Sequence, residues 1–93
     1  MGGYRVFETA GFLADLRKIA RAAGAGVERK LREHVYPPLR KEPHFGPGVR
    51  KLRGWTPETW RIRMRDWRFF CQIDERDKLV ILTAAHHRRE AYD

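Results

Sequence analysis

The apolar residues in the first part of the chain recur at spacings of three and four, which predicts helices with one buried stripe each. After a short strand over 4–7, the first helix is predicted over 10–23, with Thr9 as its N-cap. The second helix is predicted over 26–36 and is expected to end at Pro37-Pro38, because proline lacks the N–H that a helix interior needs. The two apolar stripes are Phe12, Leu16, Ile19 and Ala23, and Val27, Leu31 and Val35.

Beyond a loop rich in Pro and Gly, the period of the apolar residues changes to two, which is typical of strands. The alternation predicts strands over 59–65 and 67–74, and a continuous apolar run predicts a buried strand over 79–82. The segment 49–53 suits a short strand. We therefore predict an α+β fold of order β-α-α-β-β-β, in which two N-terminal helices pack on a mainly antiparallel four-stranded sheet. Because 93 residues bury a single core, residues 1–93 are expected to form one domain.

The segment WRIRMRDWRFF, residues 60–70, places four arginines among large apolar residues. Since successive side chains of a strand point to opposite faces, one face of this predicted hairpin is apolar and the other is basic. The apolar face is expected to meet the helices. With Asp66-Trp67 as the turn, the predicted pairs on the basic face are Arg65 with Arg68, Arg63 with Phe70, and Arg61 with Gln72.

Like charges directly opposite one another destabilise a sheet by up to about 1 kcal/mol per pair, so the basic face favours a role in binding anions. The guanidinium group also binds phosphate oxygens through two parallel hydrogen bonds and stacks on bases. A basic strand face that is merely solvated is the alternative. Other basic residues extend the predicted patch: Arg50, Lys51 and Arg53.

The charge balance favours a polyanionic partner, because 20 Lys and Arg against 12 Asp and Glu give a net charge of +8. No apolar run approaches the roughly 18 residues that span a membrane, and the start MGGYRVFE lacks the apolar segment of a signal peptide, so no membrane partner is expected. The single cysteine, Cys71, cannot form an internal disulfide, which favours a cytoplasmic location. The four histidines lack metal-ligand spacing, so no metal is expected.

The segment AAHHRREAYD, residues 84–93, supplies a second candidate chemistry. Histidine transfers protons near neutral pH, and His86 or His87 would reach the arginines if the last strand leaves the sheet beside the hairpin. A frayed basic tail is the alternative. Trp55 and Trp60 flank a turn that contains proline and are expected to pack in the fold and not to stack on bases.

Three segments in this order and spacing resemble the RelE/ParE superfamily of bacterial toxins from toxin–antitoxin operons: FLADLRKIARAAG, VRKLRGWTPETWRIRMRDWRFFCQIDE and HHRREAY. The resemblance covers nearly the whole chain and implies the β-α-α-β-β-β fold predicted above. Most RelE-like members cut messenger RNA in the ribosomal A site by attack of the 2′-OH on the adjacent phosphate, without metal. The resemblance therefore implies a cytoplasmic endoribonuclease toxin without cofactors, whose partners are the ribosome, messenger RNA and an acidic antitoxin.

The resemblance also implies roles for individual residues. Arg61 and Arg63 stand where some members have lysines that assist deprotonation of the 2′-OH, and Arg68 stands where an arginine binds the scissile phosphate. His87 or Arg88 stands where the leaving 5′-oxygen is protonated, and Tyr92 where an aromatic ring orients a base. The predicted catalytic residues are Arg61, Arg63, Arg68, His87 and Tyr92, and the predicted RNA-binding residues are Arg50, Lys51, Arg53, Arg65, His86, Arg88 and Arg89.

The arginines at 61 and 63 depart from the lysines of those members. Because the pKa of arginine exceeds about 12, Arg61 and Arg63 are expected to bind phosphate and not to remove a proton. That transfer is left to His86 or His87, or catalysis relies on positioning. Two other functions remain open: a ParE-like toxin of the same fold that binds DNA gyrase, and a basic module that binds RNA or an acidic protein without cleaving anything.

Overall fold

The chain folds as a five-stranded mixed sheet with its helices packed on one face, in a computed structural model that describes residues 3–23, 26–46 and 48–87. The strands are β1 Arg5–Glu8, β2 Val49–Lys51, β3 Trp60–Met64, β4 Trp67–Asp74 and β5 Leu79–His87. The helices are α1 Ala10–Ala23, α2 Gly26–Lys30 and α3 Tyr36–Lys41, with a π-helical turn, Leu31–Val35, between α2 and α3. The spatial order of the strands is β1-β5-β4-β3-β2, and only the pair β1 and β5 is parallel within these ranges.

This architecture confirms the predicted α+β class, with the helices between the first strand and the hairpin strands. The predicted number of four strands is wrong, because the sheet has five. The strand missing from the predicted order is β2, which lies within the segment 49–53 that suited a short strand; in it Val49 pairs with Ile62 and Arg50 with Arg61. Its three residues are enough to form the edge of the sheet beside the arginines.

Helix α1 begins at the predicted N-cap and packs on the sheet through the predicted stripe. The Thr9 hydroxyl accepts the N–H of Phe12 at 3.2 Å and donates to the Leu82 carbonyl at 2.8 Å, so it caps the helix and ties it to β5. The ring of Phe12 meets that of Phe69 nearly edge-on, with centroids 6.1 Å apart. Both rings are fully buried, and each contributes about 1.5–3 kcal/mol of hydrophobic stabilisation.

The second helical segment continues through Pro37-Pro38 to Lys41, so its predicted end at Pro37-Pro38 is wrong. The N–H of Tyr36 bonds the Leu31 carbonyl five residues back, which closes the π-helical turn and starts a new helix. The prolines then lie in the first turn of α3, where N–H groups have no helical partner in any case. A wider turn thus accommodates two residues that a continuous α-helix would exclude.

The hairpin of β3 and β4 turns at Arg65-Asp66, one residue earlier than predicted. Met64 pairs with Trp67 and Arg63 with Arg68, so the predicted register is wrong by two residues. Because side chains alternate with a period of two, this shift leaves every side chain on its predicted face. The observed register keeps Trp67 packed against the core instead of in the turn, at the cost of a positive φ of 54° at Arg65.

Gly48 lets the chain pass close to β3 just before β2 begins. Its carbonyl accepts the N–H of Arg63 at 3.0 Å, and its φ is +76°. A Cβ atom at this position would lie 2.7 Å from the Arg63 carbonyl oxygen. Gly54 has the same φ of +76°, but a Cβ atom there would meet nothing within 4 Å.

These two glycines form a matched pair for a stability measurement. We expect Gly54→Ala to lower the free energy of unfolding by about 1 kcal/mol, the cost of a left-handed backbone with a side chain. Gly48→Ala should cost roughly 2–4 kcal/mol, because the clash with β3 is added to the same backbone cost. Urea unfolding of the two variants measures the difference, and equal losses would contradict the close approach.

The end of the sheet opposite the Arg65 turn is held by Glu75, in the turn between β4 and β5. Its carboxylate accepts the Tyr4 hydroxyl at 2.7 Å, and the other oxygen lies 2.5 Å from Nε2 of His44. Lys78 lies 3.5 Å from the same carboxylate. The hydrogen bond from Tyr4 lowers the pKa of Glu75 below its ordinary value. The start of β1, the loop after α3 and the β4–β5 turn are thereby joined.

Since the pKa of Glu75 is lower in the folded chain than in the unfolded one, its stabilising contribution is present above the unfolded value and is lost as the pH falls through the folded value. We therefore expect Glu75→Gln to lower the melting temperature at about pH 6. The difference from the wild type should shrink toward zero at about pH 3. Thermal melts across this range measure it, and a difference independent of pH would show that the charge of Glu75 is not responsible.

Candidate nucleic-acid interface

The face of the sheet turned away from the helices carries the predicted basic patch. Arg50 pairs with Arg61 across β2 and β3, and Arg63 pairs with Arg68 across β3 and β4. Cross-strand partners share a face, so four guanidinium groups lie together over three strands; we call this set the arginine face. Arg50 and Arg63 are exposed, whereas Arg61 and Arg68 are each only 6% exposed. Arginines that face each other across strands repel, so these two pairs do not favour folding. Such pairs are typical of a surface that binds a ligand.

Arg68 also holds the hairpin turn. Its Nη1 donates to the Arg65 carbonyl at 3.0 Å and to the Trp67 carbonyl at 3.2 Å. Charge-assisted hydrogen bonds of this kind contribute more than neutral ones. The guanidinium group of Arg68 is therefore fixed in position by the backbone that it supports.

A β-bulge at Thr83 decides which histidine reaches the arginine face. Cys71 pairs with Leu82 but Phe70 pairs with Ala84, so Thr83 is an extra residue on β5. The Thr83 hydroxyl donates to the Phe70 carbonyl at 3.2 Å. An extra residue reverses the faces of all residues that follow it in the strand. Ala85 is consequently buried in the core.

Beyond the bulge, His86 pairs with Arg68 on the arginine face, and its ring lies 5.8 Å from that of Phe70. His87 pairs with Trp67 on the helix side, with ring centroids 5.0 Å apart, beside a groove that Asp15 and Lys18 of α1 also line. The sequence left open which of the two histidines joins the arginines. The structure brings His86 there, and it places the predicted catalytic residue His87 on the opposite side.

The remaining predicted residues lie in several places. Lys51 pairs with Trp60 on the helix side, and its Nζ forms an ion pair of 2.9 Å with Glu58, whose pKa this contact lowers. Arg53 is exposed just after β2, and Arg65 is exposed in the hairpin turn. The other predicted residues lie outside the described part of the chain: Arg88, Arg89 and Tyr92.

Two aromatic residues of this face were missed as site residues. The rings of Trp55 and Phe70 stack with centroids 5.7 Å apart and 24° between their planes. A hydrogen bond of 2.9 Å from the Leu52 N–H to the Thr59 carbonyl closes the loop that brings Trp55 back over the sheet. Trp60, in contrast, packs against the core as expected. The local pattern holds no signal for the position of Trp55, because the loop places it against a strand far along the chain.

Cys71 is a residue of the core and offers no nucleophile. It is fully buried on the helix side, and burial raises the pKa of its thiol to about 12. In the part of the chain that the structure describes, no group of three His, Cys, Asp or Glu residues is arranged to hold a metal ion. Within the same ranges, no helix is both long enough and apolar enough to cross a membrane.

The helices pack on one face of the five-stranded sheet, and the arginine side chains of the hairpin lie on the other. The chain belongs to the ParE toxin family of type II toxin–antitoxin systems (parDE), whose family model matches residues 6–91, and it is a toxin of such a system. No curated protein matches the chain.

Similar solved structures include two complexes and one free toxin. The RelBE2 toxin–antitoxin complex of Mycobacterium tuberculosis has a chain 24% identical, with 97% of both chains covered and a TM-score of 0.72. The archaeal RelE–RelB complex of Pyrococcus horikoshii gives 24% identity, coverage of 98% of this chain and 100% of that one, and a TM-score of 0.70. A mutant of the E. coli toxin RelE in the free state gives 20% identity, coverage of 95% and 85%, and a TM-score of 0.65. These similarities show the shared fold.

The two arginines that oppose each other in the hairpin should differ in their effect on stability. Arg68→Ala is expected to lower the free energy of unfolding by about 2 kcal/mol, because it removes charge-assisted hydrogen bonds to the turn. Arg63→Ala should change it by less than about 0.5 kcal/mol, since that side chain is exposed. Urea unfolding measures both. If Arg68→Ala leaves the free energy of unfolding unchanged, the turn does not depend on this side chain.

Proposed function

We propose that this toxin is an endoribonuclease that cuts messenger RNA on the ribosome by attack of a 2′-OH on the adjacent phosphate. The observation that carries the proposal is the bulge at Thr83, which puts a histidine opposite Arg68 among the cations of the arginine face. A surface made only to bind an acidic partner has no need of a proton-transfer group beside its cations. The reaction needs both cations and such a group.

The cations of the arginine face match the charge that develops in this reaction. As the 2′-oxygen attacks, the phosphoryl oxygens gain negative charge, and each well-placed fixed donor is worth about 3–4 kcal/mol in the transition state. Arg63 is exposed for this contact, and Arg61 and Arg68 lie beside it. Because arginine is a very poor base, we assign all three to binding and stabilising the phosphate.

His86 is the residue that we assign to proton transfer. In the reaction a water molecule takes the proton of the 2′-OH, the new bond from O2′ to phosphorus forms, and the bond from phosphorus to O5′ breaks. The products are a 2′,3′-cyclic phosphate and a 5′-OH, which must gain a proton. We give this protonation to His86, and not to His87, because His86 shares a face with the phosphate-binding arginines.

The partners follow from the same surface. An acidic segment of an antitoxin laid over the arginine face would pair with its exposed cations, Arg50 and Arg63, and block RNA. Two of the similar structures are toxin–antitoxin complexes, which supports such a partner. The net charge of +8 would favour docking on ribosomal RNA, which places the proposed activity in the cytoplasm. The proposed chemistry uses side chains alone and requires no cofactor.

Binding of DNA gyrase is the second candidate function. It is favoured by the family model that matches the chain, which is that of the ParE toxin. Such a toxin would use the same fold and would not depend on a histidine opposite Arg68.

The two histidines separate these functions in a cell-free translation reaction in which RNA ends are mapped. The wild type should leave discrete breaks within translated codons, and His86→Ala should slow cleavage about 100-fold or more, because a proton-transfer group is lost. His87→Ala is the matched control and should cleave within a few-fold of the wild type, since that ring lies on the other side of the sheet.

Other outcomes would reject the proposal. Equal losses in the two histidine variants, both still folded by circular dichroism, would remove the role of His86. Intact messages together with arrested supercoiling by purified gyrase would favour the second candidate. RNA binding without any breaks would leave only a basic binding module.

A further inference from the structure

We propose that Trp55 is the stacking platform for one unpaired RNA base, next to the phosphate that the arginine face binds. This inference rests on the proposed function and names how the substrate is recognised at the same site. It assigns a binding role to a loop residue that the sequence analysis expected to pack in the fold and not to stack on bases.

The first support is the way in which Trp55 is presented. Trp55 is 47% exposed, although its ring lies nearly parallel to the ring of Phe70. Phe70 is only 5% exposed, so Trp55 is the outer ring of this stack. A large flat apolar surface left open to water beside a strand is a ready surface for the face of a base.

The second support is the charge around the ring. Arg53 lies two residues before Trp55, and Arg50 and Arg63 belong to the arginine face; all three are exposed. Among the residues that the structure describes, no carboxylate pairs with any of the three. An aromatic platform flanked by free cations is the usual composition of a site for single-stranded nucleic acid, in which bases stack while the backbone follows the positive charge.

The third support is the distance along β4 to the proposed centre of reaction. Trp55 stacks on Phe70, and His86 pairs with Arg68. Phe70 and Arg68 are two positions apart on the same face of β4. Such positions are separated by roughly 6.6 Å, about the reach of one nucleotide. The base on Trp55 therefore belongs to a nucleotide that flanks the scissile phosphate. Only a single strand offers that base, because the faces of bases in a duplex are already stacked.

The test uses a single-stranded RNA of about ten nucleotides, labelled with fluorescein and 2′-O-methylated so that it cannot be cleaved. Its binding to the full chain is measured by fluorescence anisotropy at fixed salt. We expect Trp55→Leu to raise Kd about tenfold or more, because leucine still covers Phe70 but has no π face. Trp55→Phe should recover most of the affinity.

Phe45→Ala is the matched control. Phe45 is more exposed than Trp55, at 83%, but it lies beside His44 at the end of the sheet held by Glu75. Its removal should leave Kd unchanged. A duplex of the same sequence is the second control, and its weaker binding should not depend on Trp55.

Each outcome decides the inference separately from the proposed function. If the wild type binds the probe and folded Trp55→Leu binds it equally, the platform is rejected, whatever the result of the cleavage assay. If the free probe does not bind but ribosome-bound messages are cut, the KM for cleavage is measured in the translation reaction. A KM raised by Trp55→Leu supports the platform, and an unchanged KM rejects it. If the wild type neither binds nor cleaves, both the function and the platform fall.

Discussion

The buried contact between Phe12 of α1 and Phe69 of β4 joins the first helix to the middle of the sheet. It fixes which face of the hairpin lies under the helices, and alternation along the strands then sends every arginine of the hairpin strands to the other face. Loss of this packing would remove the reason for the arginines to lie on one side. The chemical surface is therefore a consequence of how the core is filled.

The guanidinium groups of the arginine face oppose one another in two cross-strand pairs. A sheet selected for stability alone would place a carboxylate or an aliphatic residue opposite an arginine, since like-charged pairs weaken the sheet. Here the two opposed pairs lie within one small face, and Arg68 is additionally fixed to the carbonyls of the turn. A fixed cation cannot turn away from its neighbours. Under the proposed function, a bound polyanion would reduce the repulsion between the opposed arginines.

Two irregular features complete the site on this regular frame. The bulge at Thr83 exchanges the faces of the residues that follow it, so that an alanine fills the core and a histidine joins the arginines. The loop before β3 folds back until Trp55 lies on Phe70. Both features act through contacts between residues that are far apart along the chain. They bring a histidine and a stacked tryptophan to the face that carries the arginines.

The sequence was enough to predict the α+β class, the buried stripe of α1 and the faces of the hairpin, because periods of 3.6 and 2 are local properties that burial enforces. The observed register of the hairpin packs Trp67 against the core. The sequence could not show this register, because a shift of two residues leaves every side chain on the same face. Nor could it show that Pro37-Pro38 lies inside a helix, which depends on the π-helical turn before it. The choice between His86 and His87, and the place of Trp55, were decided by tertiary structure alone. The histidines depend on the bulge at Thr83, because a single extra residue reverses the faces of the strand. Trp55 depends on Phe70, because a loop is positioned by partners that are distant in sequence.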